Sequence, residues 1–151
     1  MDEPYVKITW QWAYLYRAVD TEGHTIDFLL SPNRDRDAAE AFLRKAIRNQ
    51  GLPEKITIDQ SGSNTAAITH CNRTHKTAIV IRHSTHLNNV VEQDHRAGKR
   101  MATTMLGFKS FWSARCTLAG IEVMHAIRKG QLRNTGEVQQ PPAEQFYPLA
   151  A

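Results

Sequence analysis

Acidic residues are scarce in the second half of this chain. Between residues 61 and 136 only Glu92, Asp94 and Glu122 are acidic, against eleven Lys and Arg. The first sixty residues reverse the balance, with ten Asp and Glu against eight Lys and Arg. The net charge of +4 therefore conceals a basic second half, and that asymmetry favours a nucleic-acid partner. Cysteine is nearly absent. Cys71 and Cys116 stand alone, with no CxxC pair and no zinc-finger spacing to a histidine, so a disulfide framework is excluded and reduced, buried thiols are expected. The seven histidines form neither HxxxH nor HExxH patterns. No apolar run approaches the ~18 residues of a membrane span, and Met1-Asp2-Glu3-Pro4 does not read as a signal peptide. The expectation is a cytosolic protein without a membrane partner.

The 151 residues suffice for one domain with its own core. Tyr5–Trp10, Ala13–Asp20 and Thr25–Leu30 alternate and are rich in β-branched and aromatic residues, which predicts a three-stranded antiparallel meander. Ser31-Pro32-Asn33 ends it. A helix capped by Asp35 or Asp37 then runs to about Asn49, stopped by Gly51 and Pro53. A short strand over 55–59, a helix over about 65–72 and a strand over 77–81 follow. Two further helices are predicted, at about 88–103 and 111–131. The order β-β-β-α-β-α-β-α-α predicts an α/β fold, a mixed five-stranded sheet flanked by helices. Trp10, Trp12 and Trp112 are expected to pack in the core or between helices. Gln139-Gln140-Pro141-Pro142 reads as a linker-like, poorly ordered tail.

The most informative stretch is Leu87 to Arg100. At ~100° per residue, Asn89, Glu92, Arg96 and Lys99 share one helix face, a single carboxylate followed by two cations. Right-handed crossovers would bring Asp59, at a strand end, near Asp2 at the start of the first strand, and the 88–103 helix could point Glu92 at both. Three such carboxylates repel one another unless a divalent cation neutralises them, and oxygen ligands select Mg2+ or Mn2+. Two ions ~3.5–4 Å apart suit phosphodiester displacement. Arg96, Lys99, Arg100, Asn88 and Asn89 are the candidate DNA contacts. The plainer alternatives are a solvated helix acid for Glu92, a turn cap for Asp59 and a frayed terminus for Asp2.

Five stretches in order carry a family resemblance: Asp2–Lys7, Trp12–Asp20, Ile58–Gly62, Leu87–His95, and Met105–Phe111 followed by Gly120–Met124. Together they resemble the catalytic domain of bacterial DDE-type insertion-sequence transposases, in the cointegrate-forming sixth family. The resemblance implies a ribonuclease-H-like, retroviral-integrase-like fold and an acidic triad of Asp2, Asp59 and Glu92, the last two 33 positions apart. The family's basic residue two turns after the glutamate falls on Lys99. Also implied are two Mg2+ or Mn2+ ions, strand cleavage and strand transfer at transposon ends, a homo-oligomer on DNA, and a bacterial cytosolic or nucleoid location. Residues 1–133 would be the catalytic domain and 134–151 the tail. Such transposases carry an N-terminal helix-turn-helix that these residues do not contain, so a truncated domain is expected. The alternative is an inactive remnant that binds DNA or the full-length transposase.

Overall fold

The computed structural model describes residues 1–84 and 108–131. Strands β1 (Tyr5–Ile8), β2 (Gln11–Val19) and β3 (Thr25–Ser31) form the expected antiparallel meander, with Tyr5 opposite Tyr14 and Leu15 opposite Leu30. Helix α1 (Arg36–Gln50) begins at Asp35, whose carboxylate accepts the Ala38 N–H at 2.8 Å. It ends at Gly51, where φ of +87° suits a residue without Cβ. Strand β4 (Lys55–Ile58), helix α2 (Gly62–His75), strand β5 (Val80–His83) and helix α3 (Phe111–Arg128) complete the described elements. The predicted helix over 88–103 and the tail lie outside the described residues.

Two boundaries differ from expectation. Helix α2 starts earlier and runs later than 65–72, ending where Lys76 turns left-handed. The following strand is displaced to 80–83, because Asn72 draws the connecting residues in: its side chain takes the Ile79 N–H at 3.0 Å and donates to the Ile79 carbonyl at 2.9 Å. The five expected strands are all present, in two ladders. β1–β2–β3 forms one and the parallel pair β4–β5 the other. The Met1 ammonium spans them, donating to the Thr57 carbonyl of β4 at 2.8 Å.

Strand alternation assigns the faces of the meander. Val6, Ile8, Ala13, Leu15 and Leu30 face α3, packing with Phe108, Ala114 and Leu118. Tyr16 on the opposite face packs with Ala39, Phe42 of α1 and Ala67 of α2. Leu43, Ile58, Ile68, Cys71 and Ile79 form a third cluster between β4 and the two helices. The sheets therefore share α1 and α2 as a common cover, which holds the start of β1 close to the end of β4.

Candidate metal centre

Asp2 does not fray. Its N–H donates to the Arg17 carbonyl and its carbonyl accepts from the Arg17 N–H, each at 3.0 Å, in the register that continues through β1 and β2. The residue is 7% exposed. Pro4 costs this ladder one bond, since it has no N–H to give the Leu15 carbonyl, but its own carbonyl still accepts the Leu15 N–H at 2.8 Å. Burial pushes the Asp2 carboxyl up to about 7. The charges of Glu3 and Asp59 add to that rise, and the Met1 ammonium and Arg17 oppose it. Asp59's charge thus reaches Asp2, which the strand order alone had only made possible.

Asp59 stands half-buried just after β4. Its Oδ1 accepts the Ser61 N–H at 3.0 Å, so the turn-capping role expected as the plainer alternative is real. It is compatible with ligation, since among the described residues Oδ2 takes no hydrogen bond. Asp2 and Asp59 are hard oxygen donors, the charge of the second adding to the rise of the first, and this donor set fits a divalent cation such as Mg2+ or Mn2+. Glu92 and the candidate DNA contacts Asn88, Asn89, Arg96, Lys99 and Arg100 lie outside the described residues.

Sequence reasoning missed the polar groups packed around these carboxylates. The Glu3 side chain is 1% exposed and binds Arg34, whose Nε and Nη2 donate to Oε1 at 3.2 and 3.0 Å. Asn64, fully buried in α2, donates from Nδ2 to Oε2 of Glu3. Tyr16, beneath them, is pushed up to about 12 by burial and by the charges of Glu3 and Asp35. A second buried pair joins Arg17 Nε to Glu122 Oε1 at 3.0 Å, with Thr25 bridging: its hydroxyl accepts from Arg17 and donates to Glu122. The i, i+4 row Ala114, Leu118 and Glu122 puts Glu122 on the buried face of α3, but nothing in the sequence marks Arg17 as its partner.

Two expectations are corrected. Trp10, Trp12 and Trp112 are exposed rather than packed in the core or between helices. Trp10 sits on the β1–β2 turn, and Trp12 lies edge-on to Tyr5, whose ring is likewise outside the α1–α2 cover. Cys116 is exposed, on the outer side of α3, while Cys71 is buried as expected. Phe108 packs in the core beside Ile8, but Phe111 does not.

A different carboxylate group occupies the β2–β3 turn. Asp20, Glu22 and His24 place ligand atoms within 4.8 Å of one another. Burial raises the Asp20 carboxyl, but the backbone N–H groups of His24 and Glu22 outweigh it, and the net shift is downward. Those bonds close the turn, which accounts for the cluster. A cleft of about 450 Å³ opens beside Met1, between the end of β2, α1 and β4, and its mainly apolar lining includes neither Asp2 nor Asp59.

Comparison with known proteins identifies the family of the chain. A family model described as a DDE domain, of the IS240 transposase type, matches residues 1–131. The transposase for insertion sequence-like element IS431mec of Staphylococcus aureus is 39% identical over 135 residues, covering 89% of this chain and 59% of that protein. The transposase for insertion sequence element IS257 in transposon Tn4003, also from Staphylococcus aureus, matches to the same extent. The chain thus spans about 59% of the length of these curated relatives. A chain in the intasome of simian T-cell lymphotropic virus, solved with a PP2A regulatory subunit, is 22% identical with a TM-score of 0.47, over 68% of this chain and 36% of that one.

Proposed function

Since this chain belongs to the DDE-domain family of insertion-sequence transposases, we propose that Asp2, Asp59 and Glu92 hold two Mg2+ or Mn2+ ions at which DNA strands are cut and transferred. The observation that carries this reading is the buried Asp2 carboxyl, raised to about 7 with Asp59's charge contributing, on a strand start braced against β4. When bound, the ions supply Lewis acidity to the attacking and leaving oxygens of an in-line displacement. The chain's own residues do the rest. Asp2, whose carboxyl is raised to about 7, loses its proton to become a ligand, and Asp59 supplies a second carboxylate. Arg96 and Lys99, four and seven positions beyond Glu92, hold the phosphate backbone, and Asn88, Asn89 and Arg100 fix its register.

The 1–133 region is the catalytic domain in this reading. Its partners are transposon ends and target DNA, its working state is a homo-oligomer on DNA, and its location is the bacterial cytosol or nucleoid. No helix among the described residues is long and apolar enough to cross a membrane. The test is nicking of a duplex that carries insertion-sequence ends, with Mg2+, with Mn2+ and with chelator. Metal-dependent nicks that vanish in Glu92→Gln support the assignment. Equal nicking by that variant refutes it.

A further inference from the structure

We infer that Glu3 is a positioning residue: its buried carboxylate ties the strand start that carries Asp2 to the helix that follows Asp59, and so sets the separation of those two carboxylates. This rests on the metal-centre reading above and names a part of that site which the acidic triad does not include.

Consecutive residues of a strand project to opposite faces, so Glu3 and Asp2 point apart. Glu3 is therefore placed to hold the backbone from behind rather than to join Asp2 as a ligand. A carboxylate with a side chain 1% exposed costs several kcal/mol unless its oxygens are satisfied. Here both are. Oε1 takes two N–H groups of Arg34, the residue just before the α1 cap Asp35, and Oε2 takes the Asn64 amide. Packing alone would be met more cheaply by an apolar side chain, so this burial argues for a specific tie.

Asn64 shows what the tie holds. The residue is fully buried, and among the described residues its Oδ1 has no hydrogen-bond partner. Turning the amide over would set Oδ1 against the Glu3 carboxylate, acceptor against acceptor, so Glu3 dictates its orientation. Three residues earlier Ser61 caps α2, its carbonyl accepts the Thr65 N–H at 3.2 Å, and its own N–H holds Asp59 Oδ1 at 3.0 Å. A continuous path therefore runs from Asp2 through the backbone to Glu3, across to Asn64, and down the first turn of α2 to Ser61 and Asp59. The two side chains that make the crossing, Glu3 and Asn64, are both buried, which suits outer residues that set ligand geometry.

The test measures Mn2+ affinity by electron paramagnetic resonance for the full chain, for Glu3→Gln and for Glu3→Gln/Asn64→Asp, with Asp59→Asn as control and circular dichroism reporting folding. The double variant keeps the net charge and restores an amide–carboxylate hydrogen bond with its polarity reversed. Glu3→Gln is expected to stay folded and bind Mn2+ roughly 10- to 100-fold more weakly, the usual scale for loss of an outer-shell partner. The double variant should recover most of that loss. A folded Glu3→Gln with unchanged affinity overturns the inference, as does a double variant that regains folding but not affinity. If both variants unfold, Glu3 is a requirement of the fold and the positioning role is overturned. If the unmodified chain binds Mn2+ no better than Asp59→Asn, the metal-centre reading itself fails and takes the inference with it.

Discussion

At the scale of single residues, the titration of Asp2 gives the sharpest consequence. Its carboxyl is raised from 3.8 to about 7, chiefly by burial. An acid with a raised folded-state pKa keeps its proton in the native protein while the unfolded chain releases it. The stability it confers is thus fully present below about pH 4 and is lost as pH rises towards 7. We expect the unfolding free energy of the unmodified chain to fall relative to Asp2→Asn across that window, by at most about 1.4 kcal/mol per pH unit. Denaturant titrations at pH 4, 5, 6 and 7 check this, and a constant difference would contradict it. Mg2+ should oppose the loss most strongly near pH 7 and above, because only the ionised carboxylate is a ligand.

Among the elements, the decisive contact is that between the meander and α3. Arg17 of β2 and Glu122 of α3 pair with side-chain exposures of 4% and 8%, and Thr25 of β3 joins them. Removing one partner of a buried pair leaves a charge uncompensated, so Glu122→Ala should cost roughly 3–5 kcal/mol in chemical denaturation. An apolar replacement of both, Arg17→Met with Glu122→Leu, should cost far less, and equal losses for the two variants would contradict the assignment. This pair also shows where local sequence runs out. The caps and periods of α1 and the meander were legible, because Asp35, Gly51 and strict alternation are local signals. The partner of Glu122 was not, since it is an arginine 105 positions away that no periodicity announces.

For the molecule as a whole, the order of strands and helices through β5 could be read from the sequence, and so could the pairing of Asp2 with Asp59 as candidates. Three things could not. The bracing of Asp2 depends on Arg17 across the sheet, the clamp of Glu3 depends on a turn of helix sixty-one residues on, and the exposure of Trp12 depends on where the α1–α2 cover ends. Each is a tertiary outcome that propensity does not encode. The fold ties the start of the meander to β4, the strand that Asp59 follows, and the central proposal is that Asp2 and Asp59 share a metal there. Calorimetric titration of the chain with Mn2+ at pH 8 tests that most directly. Saturable binding that is lost in both Asp2→Asn and Asp59→Asn, each still folded, is the predicted result. Binding that survives either substitution unchanged would contradict it.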